Sequence, residues 1–103
     1  MTIELGGNIV LVGFKPLDYA EMIVVKKMVG NSARKFSDTF EGFEQLSLTL
    51  KEVHKTEKNQ KYELNTKVMI KGKPYTSEVV DRNLFVALDS VLKKVNEELM
   101  KIK

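Results

Sequence analysis

The chain reads as an α+β protein of β-α-β-β-β-α order, a two-layer sandwich with two helices on one face of an antiparallel-rich sheet. Three observations predict this. Leu46, Leu48 and Leu50, and then Leu64, Thr66, Val68 and Ile70, alternate with polar or longer side chains at the period of two that marks a half-buried strand. Two other stretches repeat apolar residues every three or four positions, the spacing of one helix face. The later strands follow one another with only turn signals between them, so they pair as antiparallel hairpins and leave one sheet face for the helices.

The elements follow in order. Residues 3–8 and 9–14 form one strand region punctuated by Gly6-Gly7, where a bulge or turn is expected. Beyond Pro16, Asp18 is a suitable N-cap for a helix over residues 17–37. Its inward face carries Met22, Val25, Val29, Ala33 and Phe36, and Gly30-Asn31 is a point where it would kink or split. Residues 39–44 read as a loop, and the first alternating strand follows. The polar stretch 55–61 reads as the tip of a long hairpin. After the second alternating strand, Lys71-Gly72-Lys73-Pro74 signals a turn, and residues 75–80 complete the hairpin. Asp81 or Asn83 then caps the last helix, whose stripe is Leu84, Leu88, Val91, Val95, Leu99 and Ile102. This strand-helix-three-strand-helix layer is like a double-stranded-RNA-binding domain with an added N-terminal strand.

At 103 residues the chain has length for one domain, residues 1–103, around one modest core. It is 43% hydrophobic and 30% charged, too apolar to remain disordered. There is no cysteine, which excludes disulfides, thiolate metal sites and thiol nucleophiles. No basic region leads into an apolar run at the N-terminus, and the longest apolar runs fall far short of the ~20 residues that cross a bilayer. A soluble, cytoplasmic protein is the expectation.

Catalysis finds little support. His54 is the single histidine and stands beside the polar hairpin tip, where an exposed strand end is its plainer role. Ser32-Ala33-Arg34-Lys35 matches the S-x-x-K pattern, but without the companion motifs that pattern needs. Gly6-Gly7 and Gly30 do not make a phosphate loop, and the carboxylates are scattered. The expectation is therefore no enzyme, no cofactor, no metal and no small-molecule substrate.

The basic residues say more. Net charge is only +3, from 17 Lys and Arg against 14 Asp and Glu, so position matters more than total. At about 100° per residue, Lys27 and Arg34 fall opposite the inward face of the first helix, with Gly30 and Asn31 near the same strip. Lys94 and Lys101 stack on one flank of the last helix with Lys93 beside them, Lys103 extends the basic end, and Lys71 and Lys73 stand at a turn. With both helices on one face, these cations would share a surface suited to a ribose-phosphate backbone. The plainer reading is a solvated helix face, with Glu97 and Glu98 as ion-pair partners for the neighbouring lysines. Tyr62 and Tyr75 could stack bases on an open sheet face, although strand formation explains them equally.

One family matches these residues. The stretch from Lys73 to Leu99, and within it Asn83-Leu84-Phe85-Val86-Ala87-Leu88-Asp89 followed by Leu92, Lys94, Val95, Leu99 and Lys101, resembles the end of the ribosome hibernation-promoting factor and protein Y family. Leu5-Gly6-Gly7-Asn8-Ile9-Val10-Leu11-Val12 is similar to that family's first strand. Two departures stand out: Glu97 occupies a position often basic in the family, and the segment before the first helix is longer. The resemblance implies the same fold and binding to the small ribosomal subunit and its rRNA between head and body. There the family occludes the mRNA and tRNA sites and protects idle ribosomes under stress. Lys94 and Lys101 match basic positions of its motif, and Lys27 matches more loosely. Long members add a C-terminal dimerisation domain, so a chain ending at Lys103 would correspond to a short form. The competing expectation is a protein-protein interaction module, or a homodimer through the free sheet face or a strand edge.

Overall fold

The computed structural model describes residues 2–5, 8–15, 17–53 and 61–102, without the side chains of residues 2–5 and 53. His54, Gly6, Gly7, Lys103 and residues 55–60 of the hairpin tip expected at 55–61 lie outside the described residues. The elements are β1 (Thr2–Leu5), β2 (Ile9–Val12), α1 (Tyr19–Thr39), β3 (Phe43–Val53), β4 (Lys61–Ile70), β5 (Lys73–Asp81) and α2 (Leu84–Met100). The fold is α+β in two layers, and the expected strand-helix-three-strand-helix order runs from β2 to α2. The first strand region resolves into two antiparallel strands, with Leu5 opposite Ile9.

The strands lie in the order β1-β2-β3-β4-β5. All neighbours are antiparallel except β2 and β3, which run parallel because α1 carries the chain back between them. One side of each strand is buried: Ile9 and Leu11, then Leu46, Leu48 and Leu50, then Leu64, Val68 and Ile70. Against them pack Val25, Val29, Ala33 and Phe36 of α1 and Leu84, Leu88, Val91, Val95 and Leu99 of α2. Both helices therefore cover the same sheet face. Strands β2 and β5 run in the same direction and each is followed by a returning helix, so α1 and α2 lie side by side and parallel.

Local chemistry explains the boundaries. Asp18 and Glu21 form a capping box at α1, each side chain accepting from the other's backbone N–H, at 2.8 and 3.1 Å. The helix runs uninterrupted through Gly30 and Asn31 instead of kinking there. The burial of Val29, Ala33 and Phe36 on both sides outweighs the weak helix propensity of one glycine. Asn83 caps α2 by accepting from the Phe85 and Val86 N–H groups, while Asp81 accepts from Asn83 N–H. The stripe of α2 ends at Leu99: Ile102 lies past the helix and is 47% exposed.

Between β4 and β5 the turn is shorter than expected. Ile70 pairs with Lys73, so only Lys71 and Gly72 form the loop, both at positive φ (51° and 78°), the primed turn that suits a tight hairpin. Lys73 and Pro74 belong to β5, where proline is tolerated because β5 is an edge. Gly13 is needed for a different reason. Its φ is 81°, and a side chain there would collide with the Leu50 carbonyl oxygen.

Candidate nucleic-acid interface

Helix α1 buries one side and presents the other to solvent, so its outward cations are fixed by the same periodicity that builds the core. Lys26, Lys27, Asn31, Arg34 and Lys35 are all exposed. Among the described residues none of these four cations makes an ion pair. Toward the N-terminus the outer face turns apolar with Tyr19, Ile23 and Val24, which confines the positive strip to the rest of the helix.

A valley of about 260 Å³ runs between the parallel helices. Asn31, Ser32 and Lys35 line it from α1, and Asp89, Lys93 and Asn96 from α2, over a floor that includes Phe36 and Leu92. Its rim mixes amide and hydroxyl donors with two lysines. Lys93 pairs with Asp89 at 3.0 Å in an exposed i,i+4 contact, which holds its ammonium beside the valley at little energetic gain.

The remaining lysines of α2 lie elsewhere. Lys94 reaches down to β5 and donates to the Glu78 carbonyl at 3.3 Å, so it sits on the flank turned away from α1. Lys101, two helical turns later, shares that flank and pairs with Glu98 at 3.2 Å. From residue 84 to 101, three lysines are balanced by Asp89, Glu97 and Glu98, and this part of the chain carries no net charge. Lys71 and Lys73 stand at the end of the molecule where both helices finish. They line a cleft of about 320 Å³ with Phe40, Glu41, Tyr75 and Ile102. The Gly72 N–H there donates to the Glu44 carboxylate at 2.6 Å.

The structure thus brings Lys35 and Lys93 to one valley and leaves Lys27 and Arg34 exposed on the outer side of α1, with Lys94 on the far flank of α2 beside Glu78 and Lys71 and Lys73 at the end of the molecule. Lys35, Ser32 and Asn96 line the valley although sequence reasoning did not select them. Lys35 lies on the same side of the helix wheel as Met28 and Ser32, but only the position of α2 makes that side the wall of a valley.

The opposite sheet face is polar. Ser47, Thr49, Asn65, Lys67, Thr76 and Glu78 line a shallow depression of about 410 Å³. Asn65 donates to the Glu63 carboxylate at 3.0 Å beside it. Tyr62 and Tyr75 are not on this face. They pack against the core under the helices, because their strand positions share the parity of Leu64 and Val68 or pair with them. Burial and the nearby Glu52 and Glu21 carboxylates raise the Tyr62 pKa above its ordinary value. Base stacking by these tyrosines on an open sheet is therefore ruled out by their placement.

Among the described residues, no three His, Cys, Asp or Glu side chains converge on a metal-sized site, and no helix is long and apolar enough to cross a membrane. Compared with known proteins, the chain matches no family model and no curated protein.

Proposed function

We propose that this protein is a non-catalytic, cytoplasmic RNA-binding factor of the ribosome, acting on the small subunit as the hibernation-promoting factors do. The observation that carries the reading is the group of exposed α1 cations with no ion-pair partner among the described residues, Lys27, Arg34 and Lys35, the last of which lines a valley with Asn31, Ser32 and Asn96. Cations without carboxylate partners can release counterions when phosphates replace water around them, and neighbouring amides and hydroxyls can donate to phosphate oxygens or accept from ribose 2′-hydroxyls. The two-layer order from β2 to α2 supports the reading, since it is the order that the resemblance implies. Occlusion of the decoding channel, protection of idle ribosomes and a role in stress follow from the resemblance alone.

On this reading α1 contributes more to binding than α2. Lys94 and Lys101 have local partners, so breaking into their contacts offsets part of what a phosphate would contribute. Sedimentation with purified small subunits across a salt series tests this. Association should weaken steeply as salt rises, and K27E/R34E/K35E should cost tenfold or more and lower the log-log salt slope by about one per lost phosphate contact. K94E/K101E should cost distinctly less. Salt-insensitive association, or binding indifferent to the α1 reversals, would overturn the proposal and favour a protein-protein module.

A further inference from the structure

The free edge of β5 is the feature that the RNA reading does not use. Leu46 N–H donates to the Asn8 carbonyl at 2.9 Å, so the even-numbered residues of β3 turn their backbone groups toward β2 and the odd-numbered ones toward β4. Carried across the registers, this parity makes Leu64, Thr66 and Val68 bond to Val79, Ser77 and Tyr75. The backbone groups of Thr76, Glu78 and Val80 are then left pointing outward. The hydrogen bond from Lys94 to the Glu78 carbonyl agrees, because that oxygen must face the open side. Pro74 belongs to the same outward set, so its missing N–H costs the β4 ladder nothing.

This edge is complementary to itself. Strand β5 reads Lys73-Pro-Tyr-Thr-Ser-Glu-Val-Val-Asp81, with a cation at one end and a carboxylate at the other. We propose that two copies of the chain pair antiparallel through β5, about a two-fold axis at Ser77. On the helix side that register sets Lys73 opposite Asp81 of the second copy and Tyr75 opposite Val79. On the open side it sets Thr76 opposite Glu78, and Pro74 opposite Val80, which is 49% exposed in the single chain and keeps one backbone hydrogen bond there, from its N–H to the Pro74 carbonyl. Neighbouring registers are worse. An axis at Glu78 places that carboxylate against its own copy, and an axis at Thr76 leaves Lys73 facing Val79. Like charges opposed on paired strands are destabilising, so charge selects the register.

Thr76, Ser77, Glu78, Lys94, Glu97 and Glu98 line a cleft of about 280 Å³ along the edge. Lys94 is its one cation against Glu78, Glu97 and Glu98, so the cleft is acidic and the Lys73–Asp81 contacts and strand hydrogen bonds must offset its repulsion from its own image. Lys94 does not block the pairing, since a carbonyl oxygen has two lone pairs and can accept the partner's Thr76 N–H beside the ammonium. The pairing would join two sheets into one and leave the α1 strip and the valley uncovered.

Analytical ultracentrifugation of the whole chain over a concentration series tests the proposal. The unaltered protein should show a monomer-dimer equilibrium. K73D and D81K should each raise the dimer dissociation constant by about tenfold or more, because each opposes like charges twice. An equimolar mixture of the two should recover the dimer, since each then supplies the charge the other lacks, and this recovery also shows that both variants are folded. V80P, which removes only an outward N–H, should weaken the dimer as well, with circular dichroism unchanged. A strictly monomeric unaltered protein, K73D dimers as tight as the original, or a mixture that stays monomeric would overturn it. K27E/R34E/K35E should leave the dimer intact, which keeps this test separate from that of RNA binding.

Discussion

The Thr66 hydroxyl is buried between sheet and helices, with the residue 2% exposed and no hydrogen-bond partner for its oxygen among the described residues. Its cross-strand neighbour Ser77 gives its own hydroxyl proton to the Val91 carbonyl at 2.9 Å, which ties β5 to α2. An unsatisfied buried hydroxyl costs about 1–3 kcal/mol, and valine has nearly the same shape. Thr66→Val should therefore raise stability by about 1 kcal/mol, read as a higher denaturant midpoint at unchanged slope. A loss of stability would mean that the hydroxyl finds a partner after all. The threonine was legible as a strand residue, but its burial was not legible as a defect, since the partner of a hydroxyl comes from another element.

At the scale of elements, α1 shows where local preference yields. Gly30 invites a break, yet Val25 and Val29 before it and Ala33 and Phe36 after it belong to the buried stripe, and burying those side chains outweighs about 1 kcal/mol of glycine penalty. A Cβ built at Gly30 meets nothing within 4 Å. Gly30→Ala should accordingly stabilise the fold by about 0.5–1 kcal/mol in chemical denaturation. Destabilisation would show that the helix is strained there. The tight β4–β5 turn was misjudged in length for a comparable reason. Lysine rarely adopts positive φ, so Lys71 gives no local signal of a primed turn. The register of the flanking strands and the hydrogen bond from Lys71 N–H to the Gly42 carbonyl at 3.0 Å hold it there.

At the scale of the whole molecule, charge and burial couple to unfolding. The phenol of Tyr62 is held neutral by desolvation first and then by the Glu52 and Glu21 carboxylates, so its pKa in the folded chain lies above the unfolded value of 10.0. The folded state then binds the proton more tightly. The resulting stability is complete below about pH 10 and is lost as pH rises from there through the folded pKa. Replacing Tyr62 with Phe should flatten that decline, measured as the difference in midpoint between the two proteins from pH 8 to 11. An identical decline in both would place the alkaline loss on other groups. The helix surface obeys the same logic of partners. Net charge was countable from composition, but which cations are spent on carboxylates depended on neighbours in space.

The sequence by itself determined the class of fold, the two helices, the three later strands and the caps near Asp18 and Asn83. Each of these rests on spacing of two or of three to four residues, or on side chains bonding to backbone within a few positions, and such information is local. Only the tertiary structure decided that Lys94 lies over β5 and not beside α1, that Lys35 walls a valley, that the tyrosines sit under the helices, and that one edge of β5 stands open. Those facts depend on which strand neighbours which and on the direction in which two helices return, and no single segment carries that information.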